Sequence, residues 1–242
     1  MAKVGLFVTC IVNTMRPEIG FASLKLLEKA GYEAEVPRDQ TCCGQPNMNG
    51  GDKEGTKAFA LQLAKLYEPF DYVVAPSGSC AGTIRTHYPD LFDEGDPDGA
   101  KVRALAAKTW ELTSFLIDVA GMKEVDASFD GVLAYHDSCA GLRELKIKQQ
   151  PRALLRTVKG LELKDLPDAE VCCGFGGLFC VKYPDVSGEM VRKKVDDIEG
   201  TEARAVAMGD AGCMLNIEGA LARKGSDVKV WHVAEVLAGL AK

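Results

Sequence analysis

The sequence predicts an α/β protein made of two tandem homologous domains, each with a parallel sheet, related by a pseudo-two-fold axis. Three observations predict this. The chain has 242 residues, a length that suits two domains of about 120 residues each. A split cysteine motif occurs twice in the same order. Short β-branched runs also alternate with longer amphipathic segments, as in a parallel α/β sheet.

The repeat rests mainly on the cysteines, eight of which form two sets. In both sets a single cysteine is followed, 32 or 33 residues later, by an adjacent pair, and after a further 37 or 40 residues by a fourth. Each half also ends with a similar segment that contains a tryptophan. Because the motifs share one order, we predict two domains, over residues 1–122 and 128–242. The sets are Cys10, Cys42, Cys43 and Cys80, and Cys139, Cys172, Cys173 and Cys213.

The coarse pattern places these cysteines at the ends of strands. Apolar runs predict strands at residues 4–8, 72–75, 132–135 and 203–207, and helical spacing predicts helices at 17–30, 53–67 and 146–158. The single cysteines follow the predicted strands, and the adjacent pairs lie in glycine-containing loops. Ligands of parallel sheets bind beyond the carboxyl ends of the strands. We therefore expect the four cysteines of each half to converge.

Composition narrows the class of protein. A net charge of −6 and a pI near 5.2 argue against a nucleic-acid surface, which needs clustered basic residues. The basic run at residues 192–194 is followed by acidic residues and predicts a solvated helix face. No secretion signal or membrane span is recognisable, so we expect a cytoplasmic protein. Nine cysteines in a reducing compartment favour metal binding or redox chemistry over disulfides.

The spacing of the cysteines favours an iron–sulfur cluster over zinc. Structural zinc sites favour paired ligands two to four residues apart, and the chain contains no Cys-x-x-Cys. Adjacent thiolates reach two irons of one compact cluster, and four cysteines normally satisfy a cluster. Gly44 and Gly174 follow the two pairs, where their backbone N–H groups are expected to contribute to cofactor binding. The alternative for a single cysteine is a buried apolar side chain.

These motifs resemble those of the cysteine-rich CCG domain family, which includes the cysteine-rich subunit of heterodisulfide reductase and the glycolate oxidase iron–sulfur subunit. Within that family the chain is most similar to the members that take part in lactate utilization. The resemblance covers nearly the whole chain and rests on Cys10, Thr41-Cys42-Cys43-Gly44-Gln45-Pro46, Pro76-Ser77-Gly78-Ser79-Cys80, His136-Asp137-Ser138-Cys139, Cys172-Cys173-Gly174-Phe175-Gly176-Gly177, Gly209-Asp210-Ala211-Gly212-Cys213 and His232-Val233-Ala234-Glu235-Val236.

The resemblance implies one or two clusters of the 4Fe–4S type and an electron-transfer role as a subunit of a multi-protein L-lactate (2-hydroxy acid) oxidising system. Its partners would be a ferredoxin-like iron–sulfur protein and a third protein. Two alternatives stay open: a cluster-based disulfide reductase subunit, and a metal-binding module without turnover. The chain has no nicotinamide-binding or Walker motif, so a hydride acceptor would come from a partner.

The family motif has five cysteines, and Ser77 and Asp210 stand where this chain lacks one in each half. We weigh two roles for them, a weak oxygen ligand and a helix N-cap. Cys180 lies outside the repeat and is interpreted as a packed thiol. His136 is equally a donor to a cluster sulfur or a structural histidine. His87 and His232 have no ligand spacing and are interpreted as structural or exposed. Arg16 and Arg143 are interpreted as solvated or helix-surface residues, with binding of an anionic substrate or balance of the cluster charge as the alternatives.

Overall fold

The computed structural model describes residues 2–241. Within them the chain forms two four-stranded, fully parallel sheets, with strand orders β2-β1-β3-β4 and β6-β5-β7-β8. The two orders are the same, so the repeat of the sequence is a repeat of the fold. The strands are β1 Lys3–Leu6, β2 Glu33–Glu35, β3 Tyr72–Ala75, β4 Thr109–Glu111, β5 Ser128–His136, β6 Lys159–Asp165, β7 Ala205–Met208 and β8 Lys229–His232.

Helices connect the strands, and two of them continue into single π-helical turns, at Thr83–His87 and Phe115–Val119. A short 3-10 turn covers Pro89–Leu91. The helices are α1 Cys10–Met15, α2 Glu18–Lys29, α3 Gln45–Gly50, α4 Lys53–Leu66, α5 Gly78–Gly82, α6 Pro97–Lys108, α7 Leu112–Ser114, α8 Cys139–Arg143, α9 Gln149–Leu155, α10 Phe179–Lys182, α11 Pro184–Glu199, α12 Ala211–Lys224 and α13 Val233–Leu237.

The strand order creates a switch point in each sheet. The chain leaves β1 toward β2 on one side and returns to β3 on the other, and β5 stands between β6 and β7 in the same way. A crevice opens beyond the carboxyl ends of the two central strands at such a point. Cys10 follows β1 and Cys80 follows β3, while Cys139 and Cys213 follow β5 and β7. The topology therefore brings the single cysteines of each half to one crevice.

The two halves pack on each other reciprocally. Helix α5 of the first half packs on α8 of the second, and α12 of the second half packs on α1 of the first. The pairs α2 with α13 and α7 with α9 repeat this exchange. At one contact the backbones touch, because a Cβ added to Gly78 would lie 2.8 Å from the Gly141 Cα. Buried apolar residues of both halves form one shared core. The predicted class, two parallel-sheet domains with pseudo-two-fold packing, is confirmed.

Several predicted elements differ from the structure. The helix predicted at 146–158 was wrong at both ends: α9 covers Gln149–Leu155, and Lys146 has a φ of 59°, which ends helical geometry. The strands β2, β4, β6 and β8 were not predicted. The solvated face predicted for residues 192–194 was wrong at Lys194, which is buried and donates to the Asp168 carbonyl and to Asp197.

The domain division at 122 and 128 stays a prediction, and its outer bounds, residues 1 and 242, lie outside the described residues. The described strands of the first sheet span residues 3–111, and those of the second span 128–232. None of the helices in residues 2–241 has the length and apolar character that a bilayer crossing requires.

Candidate metal centres

The first cysteine group consists of Cys10, Cys42, Cys43 and Cys80, and the structure brings all four together. They come from α1, from the loop before α3 and from α5. The Sγ atoms of Cys10 and Cys42 lie 3.8 Å apart. All four line one cavity of about 300 Å³. Cys10 is exposed, Cys42 and Cys80 are half-buried, and Cys43 is buried. The group is thus open to solvent on one side.

The backbone around this group is held in an unusual shape. Gly44 has a φ of 71°, which suits glycine, and its N–H donates to the Cys42 Sγ at 3.4 Å. The hydroxyl of Tyr88 donates to the Cys43 carbonyl at 2.7 Å. Thr9 has a φ of 58°, an outlier for a β-branched residue, and caps α1 by accepting from the Val12 N–H. Such strain costs about 1–3 kcal/mol and concentrates at functional sites.

The second cysteine group consists of Cys139, Cys172, Cys173 and Cys213, and its local geometry repeats the first. The Sγ atoms of Cys139 and Cys172 lie 3.9 Å apart. Gly174 has a φ of 87°, and its N–H donates to the Cys172 Sγ at 3.4 Å. A Cβ at Gly174 would lie 2.8 Å from the Ser187 carbonyl oxygen. Close packing as well as backbone conformation therefore requires glycine there.

In each group one cysteine sulfur accepts several hydrogen bonds, and these lower the pKa of its thiol. The pKa is lowered at Cys42 and Cys172, because each accepts from two neighbouring cysteines and from a glycine N–H. These two sulfurs are the ones best suited to be thiolates in the free protein, and thiolate is the form that binds metal. The donor thiols, whose pKa values are raised by these hydrogen bonds and by burial, are Cys10, Cys43, Cys139 and Cys173.

The two groups differ in exposure. In the second group Cys173 and Cys213 are buried, whereas only Cys43 is buried in the first. The loop after the second cysteine pair also reaches across to the first group: Phe175, Leu178 and Val181 line its cavity. Phe175 packs on α12, since a Cβ at Gly212 would lie 2.4 Å from its Cε1. The first cysteine group therefore lies in a crevice, and residues of the second half form the apolar wall of that crevice.

His136 is the histidine that the structure places at a cysteine group. A ring nitrogen of His136 and the Sγ atoms of Cys173 and Cys213 lie within 4.8 Å of one another. The side chain is fully buried, and neither ring nitrogen has a hydrogen-bond partner among the described residues. Burial, with a smaller contribution from Lys194, lowers its pKa to about 4. The imidazole is therefore neutral near pH 7.

Ser77 and Asp210 are both helix caps in the structure. The Ser77 Oγ accepts from the Cys80 N–H at 3.3 Å at the start of α5. Asp210 accepts from the Gly212 N–H at 3.0 Å at the start of α12. Both side chains are buried. Of the two roles weighed from the sequence, the N-cap is the one that the hydrogen bonds support.

The remaining residues singled out in the sequence have structural contacts. The Cys180 thiol donates to the Gly177 carbonyl at 3.2 Å and is half-buried, in keeping with a packed thiol. His87 lies 3.4 Å from Glu144, and His232 caps α13. Arg16 is not a solvated helix residue: its guanidinium lies 3.2 Å from Glu218 and 3.6 Å from Glu235, so it links the two halves.

Sequence reasoning missed a buried ion pair behind the second group. Arg152 donates to both carboxylate oxygens of Asp137, at 2.6 and 2.9 Å, and also to Asp165 at 2.8 Å. Arg152 and Asp137 are almost fully buried. A bidentate pair of this kind is rigid, so it fixes the segment between β5 and Cys139. An acidic residue directly after the strand, within the His136-Asp137-Ser138-Cys139 motif, was the available signal.

The fold and the paired cysteine groups define a two-domain cysteine-rich protein. A sequence profile described as the CCG cysteine-rich domain matches residues 4–85 and 133–218, once in each half. The chain belongs to this family.

Three relatives that are similar over nearly the whole chain are named lactate utilization protein A or A 2. Lactate utilization protein A of Geobacillus kaustophilus is 47% identical over 236 residues, covering 97% of this chain and 98% of that protein. The protein of that name from Oceanobacillus iheyensis is 42% identical, covering 97% and 96%. Lactate utilization protein A 2 of Bacillus cereus is 43% identical, covering 99% and 100%. Among solved structures, an aspartate racemase homologue from Pyrococcus horikoshii matches over 98% of this chain and 96% of that protein, at 13% identity and a TM-score of 0.34.

Proposed function

We propose that the chain is the iron–sulfur electron-transfer subunit of a multi-protein system that oxidises L-lactate or a related 2-hydroxy acid. Each half would hold one 4Fe–4S-type cluster through its cysteine group. The observation that carries the proposal is the convergence, twice, of four thiols from separate segments at the switch point of a parallel sheet. The names of the relatives supply the link to lactate.

The donor set fits such a cluster. Four soft sulfur atoms match the usual ligand count, and the two adjacent pairs suit a compact polynuclear centre better than a single ion. The N–H groups of Gly44 and Gly174 already donate to a cysteine sulfur at 3.4 Å in each group. Such hydrogen bonds stabilise the negative charge of thiolate ligands. A bound cluster would supply one-electron transfer.

The proposed system needs other proteins for its chemistry. Oxidation of a 2-hydroxy acid removes two electrons and two protons, and a hydride acceptor is normally a flavin or nicotinamide. The Gly174-Phe175-Gly176-Gly177 stretch lacks the dinucleotide-binding spacing, and its first glycine is packed on Ser187. We propose a ferredoxin-like iron–sulfur protein and a third protein as partners, in the cytoplasm. The chain would then act as one subunit of an oxidoreductase complex.

A cluster-based disulfide reductase is the second candidate, and the first cavity favours it. Its space of about 300 Å³ lies directly against Cys10 and Cys42 and has apolar walls at Leu178 and Val181. A small organic disulfide would approach the centre from the exposed side, at Cys10. Against this stands the capping role of Ser77 and Asp210, because neither half has a cysteine at the family's fifth motif position.

The test is chemical analysis of the protein purified without oxygen. We expect iron and acid-labile sulfide in equal amounts, at about four of each per occupied half, and an EPR signal in the reduced protein. Zinc without sulfide would contradict the proposal. When partner proteins isolated from the same cells are present, lactate should reduce the cluster, as followed by EPR. When the partner proteins are absent, a disulfide should not reoxidise the reduced cluster. Reoxidation by the disulfide alone would favour the second candidate.

A further inference from the structure

The two cysteine groups differ at one buried position beside the sulfurs. His136 stands three residues before Cys139, and Phe7 stands three residues before Cys10, each just past or at the end of a central strand. Both side chains are fully buried. Phe7 packs edge-on against Tyr67, with ring centroids 6.1 Å apart. The repeat therefore has an apolar ring in one half and an imidazole in the other.

The imidazole lacks the hydrogen bonds that a buried ring normally makes. Neither nitrogen of His136 has a partner among the described residues. An unsatisfied buried polar group destabilises a folded protein, and such groups in native structures call for an explanation such as a ligand that binds beside them. A neutral imidazole has one N–H to donate. The buried His136 side chain therefore destabilises the free protein, and an acceptor bound beside its N–H would remove that cost.

Other polar groups near His136 are already engaged. The Lys194 ammonium donates to the Asp168 carbonyl and to Asp197, and an ammonium cannot accept a hydrogen bond in any case. The Ala169 carbonyl, which lies beside the ring, accepts from the Asp137 N–H at 3.1 Å. The sulfurs of Cys173 and Cys213 remain, with their Sγ atoms and a ring nitrogen all within 4.8 Å of one another.

The ring is also held in place. The next residue, Asp137, accepts two hydrogen bonds from Arg152 at its carboxylate, of 2.6 and 2.9 Å. The Asp137 N–H donates to the Ala169 carbonyl at 3.1 Å. The main chain of His136 pairs with Met208 in the sheet. A donor on so rigid a support needs little reorganisation to meet a thiolate.

We propose that His136 donates its N–H to a cysteine sulfur of the second group, and that this bond raises the reduction potential of the second centre. The proposal rests on the proposed function, since it requires a cluster in the second half. Hydrogen bonds to cluster sulfurs favour the reduced, more negatively charged state. Phe7 offers no such donor at the equivalent position of the first half.

The experiment isolates each centre before changing the ring. The Cys43→Ala variant should lose the first centre and retain the second. The Cys173→Ala variant should lose the second centre and retain the first. His136→Phe, which reproduces the residue found in the other half, is placed in both, and midpoint potentials are measured by EPR-monitored redox titration at one pH. We expect His136→Phe to lower the potential of the second centre and to leave that of the first unchanged. His136→Gln, which keeps an N–H donor, should restore part of the shift.

A second measurement does not depend on a substitution at His136. In the Cys43→Ala protein labelled with ¹⁵N-histidine, pulsed EPR should show weak nitrogen coupling to the reduced centre, as expected for an N–H···S contact. Absence of coupling would overturn the proposal, and so would the strong coupling of an iron-bound nitrogen. An unchanged second-centre potential in His136→Phe would overturn it as well. If the unaltered protein binds no iron and sulfide, the proposed function falls too, so the two failures are distinguishable.

Discussion

The Ser77 hydroxyl of the first half donates a hydrogen bond of 3.0 Å to the Asp210 carboxylate of the second half. The same carboxylate oxygen accepts from the Ser79 N–H at 3.0 Å. Ser77 caps the helix that carries Cys80, and Asp210 caps the helix that carries Cys213. The two positions that lack the family's fifth cysteine are therefore bonded to each other, and this contact ties the two cysteine groups together.

Loss of this contact should reduce stability. Because both side chains are buried caps, Ser77→Ala and Asp210→Ala should each lower the free energy of unfolding by about 1–2 kcal/mol. The double variant should lose less than the sum, since one bond joins the two residues. Chemical denaturation of the metal-free proteins measures this. Strict additivity would show that the bond contributes nothing.

The caps should not affect the spectrum of a bound cluster. We expect the EPR signal of Ser77→Ala to match that of the unaltered protein, because the hydroxyl is engaged with the Cys80 N–H and with Asp210. A changed signal in this variant would favour the oxygen-ligand interpretation over the cap.

The ligand assignment makes a separate prediction about iron content. Cys43→Ala and Cys173→Ala should each lose the iron of their own half, about half of the total, because removal of one of four thiolates leaves a labile centre. Cys180→Ala is the matched control: its thiol donates to the Gly177 carbonyl, and its removal should leave the iron content unchanged. Equal iron loss in Cys180→Ala and Cys173→Ala would show that the assignment of the second group is wrong.

The fold was predictable where the sequence has strong apolar periodicity. The buried strand at residues 72–75 was predicted with its observed bounds. Strand β2 was not, because its sequence Glu33-Ala34-Glu35 has no apolar run and it lies at a sheet edge. Its pairing with β1 depends on tertiary structure. The repeat of the cysteine motif did more for the prediction of the fold than local propensity did.

The candidate site was predictable as a set of residues, and its asymmetry was not. Spacing alone grouped Cys10, Cys42, Cys43 and Cys80, and the structure joins them around one cavity. Spacing does not encode how far each sulfur is buried, since the apolar wall at Phe175 and Leu178 comes from the other half. The pairing of Ser77 with Asp210 spans 133 positions, which no local pattern reveals.

Exposure predicts different reactivity of the two groups. In the metal-free protein, brief treatment with iodoacetamide at neutral pH should modify the half-buried Cys80 well before its buried counterpart in the second group, Cys213, since access limits thiol reactivity. Peptide mass spectrometry at several times gives the order. Leu178→Ala, which removes part of the apolar wall of the first cavity, should speed modification of the first group only. Equal rates at Cys80 and Cys213 would contradict the asymmetry.

Glu111 predicts how stability depends on pH. This carboxyl is buried and caps α7 by accepting from the Thr113 and Ser114 N–H groups at 2.8 and 3.0 Å. Burial raises its pKa to about 7, although these hydrogen bonds oppose the rise. The folded protein thus holds this proton more tightly than the unfolded chain, whose glutamate has a pKa near 4.3. The stabilising contribution is complete below that value and is lost as the pH rises through about 7.

The substitution Glu111→Gln should remove this dependence while keeping an oxygen to accept the capping bonds. Below about pH 4 the variant and the unaltered protein should have similar free energies of unfolding. Above pH 7 the variant should be more stable, by up to about 4 kcal/mol from the size of the pKa shift. Urea unfolding of the metal-free proteins between pH 4 and 8 measures the difference. Glu54→Gln, a change at an exposed carboxylate, is the control. If the profile of Glu111→Gln runs parallel to that of the unaltered protein, burial does not raise the pKa of Glu111.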